Sequence, residues 1–260
     1  MNAPLTEASP PAYESGSESH LTAQLRHERD QARSELEDFT FSVSHDLRAS
    51  LRHVTAYVQI IKEDLGPQTS GAVASHLDRV SQAARQMGLQ IDALTELSRL
   101  TRLDLDLTTV AVAPLVQDVC MALAPTLGGR RVEWQVADDF PALRCDATLL
   151  RQVLMHVLSN ALKFTAPRAV ARIEITWQAH DNGLCVLTVT DNGVGFNPGY
   201  ASKLFHAFQR LHGSREFEGL GVGLALTRKI VERHGGMVWA IGAPDAGCSV
   251  SFTLPLAHPA

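Results

Sequence analysis

Apolar or small side chains recur at steps of three and four over the first part of the chain. They fall at Leu21, Leu25, Ala32, Leu36, Phe39, Val43, Leu47, Leu51, Val54, Val58, Ile61 and Leu65, with Glu28 in one slot. That spacing keeps one stripe on one side of a helix and predicts a long coiled-coil-like helix with a single seam. Gly66-Pro67 predicts its end, by left-handed permissiveness at the glycine and the missing N–H of the proline. A second seam runs through Val73, Leu77, Val80, Ala84, Met87, Ile91, Leu94 and Leu97. A loop as short as 66–72 makes the two helices antiparallel neighbours. One hairpin cannot bury both seams, whereas two copies can, as a four-helix bundle; a homodimer is expected.

After about Thr108 the texture changes. Residues 110–112 and 132–136 read as strands, and 114–123 and 147–164 as helices, the latter capped by Asp146. Residues 171–179 and 184–190 alternate as strands around Asp181-Asn182-Gly183, a hairpin signal. A glycine- and charge-bearing loop, 193–219, leads to a helix over 222–234, a break at Gly235-Gly236, and strands near 237–241 and 249–254. The fold class expected is α+β: a helical hairpin forming a dimeric four-helix bundle, then an α/β sandwich with helices on one face of a mixed sheet. Residues 1–19 read as a disordered tail, being rich in Pro, Ser, Ala and Glu without periodicity. Residues 20–106 read as a coiled-coil lead and hairpin, and 107–260 as the second domain.

Composition narrows the classes. A net charge of −5 over 260 residues argues against a general nucleic-acid binder. No apolar run approaches the roughly 20 residues of a membrane span, and the start lacks the basic-then-apolar pattern of a secretory leader. The cysteines, Cys120, Cys145, Cys185 and Cys248, are widely spaced and read as reduced thiols. A cytoplasmic protein is expected.

Four constellations carry candidate chemistry. In 41–48, Val43 and Leu47 lie on the seam, and His45 sits about 200° round the helix from them at roughly 100° per residue. His45 therefore projects outward, near Arg48 and Arg52; it is either a nucleophile whose other ring nitrogen Asp46 orients, or a solvated histidine. Asn160 and Lys163 share a helix face, where an amide oxygen can ligate Mg²⁺ and an ammonium can meet phosphates; the alternative is an ordinary amphipathic helix end. Asp191-Asn192-Gly193-Val194-Gly195 follows a strand, as a turn or as a carboxylate that reads an adenine amino group over closely approaching glycines. Gly219-Leu220-Gly221-Val222-Gly223-Leu224 opens a helix and presents backbone N–H groups suited to phosphate. No strand directly precedes it, against a Rossmann turn, and no Gly-Lys-Ser/Thr occurs, against a P-loop.

In this order the motifs resemble those of the sensor histidine kinases with a HisKA-type dimerisation hairpin and a Bergerat-fold (GHKL) ATP-binding domain. The H box resembles 41–51, the N box 151–165, the G1 box 191–195, the F box 204–208 and the G2 box 219–224. The His-Asp-Leu-Arg-Ala stretch is most similar to the phytochrome-type branch, here as a transmitter without a sensor domain. The resemblance implies His45 as phosphoacceptor with Asp46 as its acid/base partner. It implies Asn160 on Mg²⁺, Lys163 on phosphates with Phe164 in the same box, and Asp191 on adenine with Gly193 and Gly195 beneath the base. Residues 196–218 would form a lid anchored by Phe205 and Phe208. Arg210 would reach the γ-phosphate, with Arg215 a further candidate. Gly219, Gly221, Val222, Gly223 and Leu224 would line the triphosphate. ATP and Mg²⁺ are the implied cofactors. The implied partners are a second copy, a response-regulator receiver domain and a separate sensor engaging the N-terminal coiled coil, with no nucleic acid and no membrane span.

Four positions depart from the family pattern. Ser50 replaces a proline, which predicts a straighter and stiffer helix beside His45. Ala49 cannot position a hydrolytic water, which predicts weak phosphatase activity. His156 stands where a second asparagine is usual; it tunes Mg²⁺ binding, acts as a base, or has no chemical role. Leu220 lacks a hydroxyl near the phosphates, an expected cost of about 1 kcal/mol. Competing functions are a plain ATPase of the superfamily, which would need a glutamate near Asn160, and a degenerate kinase serving as a docking protein.

Overall fold

The computed structural model of the protein describes residues 15–66, 70–213 and 216–257. Helix α1 runs unbroken over Ser15–Leu65 and α2 over Gly71–Arg102. Of the segment read as a tail, residues 1–14 lie outside the described residues, and 15–19 are already helical. The last proline of that segment, Pro11, lies upstream, and Ser15, Ser17 and Glu18 are residue types that favour helix starts. The side chains of Leu21 and Leu25 and residues 67–69 of the hairpin loop also lie outside what is described. Gly66 ends α1 with φ 61°, as its sequence predicts, and the Ser70 hydroxyl caps α2 by accepting from Val73 N.

Three ion pairs tie the helices across the hairpin: Asp38–Arg102 at 2.7 Å, Arg48–Asp92 at 2.8 Å and Lys62–Asp78 at 2.6 Å. The residue numbers in each pair add to 140, so the helices pass without slip, and Thr95 on α2 stands level with His45 on α1. Within one chain the hairpin buries Ser44, Val58, Ser81, Ala84 and Ile91. Much of the seam stays open: Leu36 is 65% exposed, Phe39 66% and Leu47 49%, and Val54, Ile61, Val80, Met87 and Leu94 are exposed too.

The second unit holds a five-stranded sheet in the order β2-β4-β5-β7-β6. Its strands are β2 (Val132–Val136), β4 (Ala171–His180), β5 (Leu184–Asp191), β6 (Val238–Gly242) and β7 (Cys248–Pro255). The β2–β4 pair is parallel and the others antiparallel, which makes the sheet mixed. A two-stranded ribbon pairs β1 (Thr108–Ala111) with β3 (Ala142–Cys145). Helices α3 (Val112–Leu123), α4 (Ala147–Phe164) and α5 (Gly223–Arg233) share one core with the sheet. α4 supplies the largest share of that core from one element, including Leu149, Leu150, Val153, Leu154, Val157 and Leu158, all nearly water-free. Its start is fixed as the sequence suggests, the Asp146 carboxylate accepting from Thr148 N and Leu149 N. Val112, read as the end of a strand, instead opens α3; Pro114 falls in that first turn, where a missing N–H is harmless.

The end of α2 is docked on this unit. Leu100 is buried in the common core, and Ala93, Leu97 and Leu103 pack against it. The Arg233 guanidinium of α5 donates to the carbonyls of Leu100, Thr101 and Leu103, which satisfies the open end of the helix with a cation. No helix among the described residues is long and apolar enough to cross a membrane.

Candidate functional site

A cavity of about 400 Å³ opens between α4, the ends of β5 and β7, and the segment leading into α5. Asp191, the last residue of β5, forms its floor and is 8% exposed. Its Oδ1 accepts from Gly193 N at 2.8 Å, and the Cys248 amide donates to the carboxylate as well. Burial pushes the Asp191 carboxyl up to about 6 against the pull of those two amides. The turn after it tolerates only glycine: a Cβ at Gly193 would lie 2.7 Å from both Asp191 Oδ1 and the Phe164 carbonyl. At Gly195, with φ +63°, a Cβ would lie 1.9 Å from the Ala243 carbonyl. Gly195 reaches the cavity wall, while Gly193 packs against Phe164 and Asp191. Arg168 braces this loop by donating to the carbonyls of Asn192, Gly193 and Asp245 at 2.8–2.9 Å. Neither Arg168 nor Cys248 was signalled by a motif, because their partners lie far along the chain.

α4 brings a cation to the cavity. Asn160, Lys163 and Phe164 line the cavity from the last turns of α4, as shared helical spacing predicts. Burial, then the neighbouring Arg210, holds the Lys163 ammonium below its ordinary pKa. Lys163 Nζ stands 4.5 Å above the Phe164 ring. Gly219, Gly221, Val222, Gly223 and Leu224 also line the cavity, Gly219 beside Lys163 and Gly223 beside His156. A Cβ at Gly221, with φ +72°, would lie 2.4 Å from the Gln209 carbonyl, and Phe208 N donates to Gly221 O at 2.9 Å. Segment 204–213 thus lies directly on the glycine-rich turn. Phe205 is buried and Phe208 half-buried. Arg210 lines the cavity but turns its guanidinium to the carbonyls of Phe217 and Gly213. Arg215 lies outside the described residues.

His156, also on the wall, has a buried Nδ1 without a hydrogen-bond partner among the described residues. Its ring packs against Gly223, whose Cβ would sit 3.5 Å away. Burial lowers its pKa, against the opposing charge of Glu96 on α2. Glu96 is bonded to Arg99 at 2.8 Å through both oxygens and also to Gln152. Ala93 of α2 completes this side of the cavity.

His45 and Asp46 stand apart, on the solvent side of α1. His45 Nδ1 lies 3.2 Å from Asp46 Oδ1, with both side chains mostly exposed. A carboxylate accepts only, so the pair favours the proton on Nδ1 and leaves the Nε2 lone pair free. Ser50 Oγ donates to the Asp46 carbonyl at 3.1 Å.

The cavity fits a nucleotide with its metal ion on this chain's own features. A Cβ at Gly219 would enter the space 3.5 Å before Lys163 Nζ; His156 Nδ1 lacks a partner; and Asp191 is a buried acceptor facing in. Among the described residues no group of three or more His, Cys, Asp or Glu is placed to hold a metal. Mg²⁺ would rest on the Asn160 amide oxygen and on phosphate oxygens, the usual sharing for that ion.

Comparison with known proteins bears on this geometry. Residues 145–258 match the family model described as histidine kinase-, DNA gyrase B- and HSP90-like ATPase. Over 222 residues, 85% of the chain, the sequence is 30% identical to the methanogenesis regulatory histidine kinase FilI of Methanothrix harundinacea, of which it spans 25%. It is 28% identical to the phytochrome-like protein Cph1 of Synechocystis over 91% of the chain and 31% of that protein. It is 31% identical to the adaptive-response sensory kinase SasA of a Synechococcus over 89% of the chain and 63% of that protein. The chain thus spans a quarter to a third of the first of these relatives. In fold it is similar to full-length ShkA, solved in complex with AMPPNP, with TM-score 0.62 and 24% identity over 86% of the chain and 46% of ShkA. It is also similar to the Acinetobacter baumannii histidine kinase AdeS, with TM-score 0.56 and 17% identity over 82% of the chain and 98% of AdeS.

Proposed function

We propose that this chain, a member of the histidine kinase/GHKL ATPase family, phosphorylates its own His45 from Mg·ATP and passes the phosphoryl group to an aspartate of a response regulator. It would do so as a homodimer in the cytoplasm, with residues 20–106 as the dimerising hairpin and 107–260 as the ATP-binding domain. The observation that carries this reading is the hairpin register. His45 stands level with Thr95; close to that level on α2, Ala93 lines the cavity and the charge of Glu96 acts on His156, itself a cavity residue. The nucleophile and the nucleotide cavity therefore stand at about the same height along the hairpin.

On this reading Asp191 accepts from the adenine amino group, and Lys163 and the backbone N–H groups at the start of α5 hold phosphate oxygens. A Mg²⁺ ion on Asn160 would supply charge neutralisation between the phosphates. The Nε2 lone pair of His45 forms the new N–P bond as the bond from the γ-phosphorus to the bridging oxygen breaks and ADP takes the electron pair. Asp46 keeps the Nδ1 proton and stabilises the charge the ring acquires. A regulator's carboxylate then attacks the same phosphorus and returns the imidazole lone pair. Ala49 offers no side-chain acceptor to orient water, so weak phosphatase activity is expected.

Incubation with Mg²⁺ and γ-labelled ATP, beside His45→Gln, tests the proposal. An acid-labile, alkali-stable label absent from His45→Gln is expected. Steady ATP turnover without label would instead indicate an ATPase, and no nucleotide binding at all a docking protein.

A further inference from the structure

His212 was singled out by no motif, yet it ties two sides of the cavity together. It lines the wall, and its Nε2 lies 2.9 Å from the carbonyl oxygen of Gly195. A carbonyl can only accept, so Nε2 carries the proton in either charge state of the ring. The acceptor is rigidly placed, because Gly195 is held at φ +63° against the Ala243 carbonyl and Arg168 braces the loop before it. The imidazole also closes an aromatic triad. Its centroid lies 5.4 Å from that of Phe164 and 5.4 Å from that of Phe217, which are 5.0 Å from each other. Phe164 belongs to α4, Gly195 to the turn after Asp191, and Phe217 to the approach to Gly219.

We propose that His212 is a positioning residue for nucleotide binding: its Nε2–H bond to Gly195 seats segment 204–213 on the base-reading turn, and its ring makes the aromatic wall beside the base. Because Phe208 N is bonded to Gly221 O, the same segment is fixed to the glycine-rich turn at its other end. His212 thereby joins the base end of the cavity to its phosphate end. This inference rests on the nucleotide reading above.

The full chain should be titrated calorimetrically with Mg·ATP as wild type, His212→Phe and His212→Gln, with melting temperatures measured alongside. Phenylalanine keeps the ring packing and removes the donor. Glutamine carries an N–H that reaches the same carbonyl but loses the ring. The wild type is expected to bind. His212→Phe should weaken binding about five- to tenfold, the worth of one hydrogen bond, with no more than a small fall in melting temperature. His212→Gln should recover most of that loss, a rescue that a packing role would not give. Equal affinity in all three proteins, or a glutamine variant as weak as the phenylalanine one, would overturn the proposal. Absence of binding by the wild type would overturn the nucleotide reading itself.

Discussion

Asp191 illustrates how one residue can trade stability for recognition. Its pKa in the folded protein, about 6, lies above its ordinary 3.8. The folded state therefore holds a proton that the unfolded chain releases, and stability falls as pH rises between those values. Above pH 6 the cost is complete, on the order of 3 kcal/mol for a shift of about two units. The ionised form is also the stronger acceptor for an adenine amino group. ATP affinity, measured by calorimetry, should be level above about pH 6 and weaken below it. At pH 7.5, Asp191→Asn should weaken ATP binding about 100-fold or more, since the amide presents a donor where an acceptor is required. Asp191, Asn160 and Lys163 were legible in the sequence because each sits at a local signal, a strand end or a helix face. His212, Arg168 and Cys248 were not, because their roles exist only through contacts made by folding.

Along α1, hydroxyls bond back to the carbonyl four residues earlier, among them Thr40 to Leu36, Ser50 to Asp46 and Thr55 to Leu51. The helix passes His45 without a break, where a proline at position 50 would delete the N–H and push the Asp46 carbonyl aside. Ser50→Pro should therefore lower the hairpin's melting temperature, by up to about 3 kcal/mol of stability, and speed His45 phosphorylation several-fold in a single-turnover assay. Unchanged labelling kinetics would show that the stiffness of α1 does not limit the reaction. Helix α4 was readable to the residue because its periodicity, its length and the Asp146 cap agree. β3 was missed because four residues carry too little pattern, and its partner β1 lies more than thirty positions upstream. The hairpin seam was readable, yet Val43 and Leu47 are exposed in the single chain, and Ser44 is the residue buried beside them. On the dimer proposed above, the pattern marks a surface for a second copy, which one chain cannot display.

That open seam bears on the proposed dimer. Exposed Leu36, Phe39, Leu47 and Val54 on α1 face water together with Val80 and Met87 on α2, an apolar stripe too long to leave uncovered. Sedimentation should give twice the chain mass of 28.2 kDa, and Val54→Asp should shift it to one, because a carboxylate would be buried without a partner. The clasp of Arg233 on the end of α2 has a further consequence for motion. Between hairpin and sheet the usual place for a swivel would be the connector after Arg102. Here Leu103 is clasped, Leu105 packs on the core, and Asp106 N donates to Asp146. A swing of the ATP-binding unit must therefore break charge-assisted bonds or carry the last turns of α2 along as part of a rigid arm. In the second case bending falls within α2 itself, where Gly88 has open space around it and the lowest helical preference of any residue but proline. The body that moves is then larger than the body that folds, and its edge lies inside a helix.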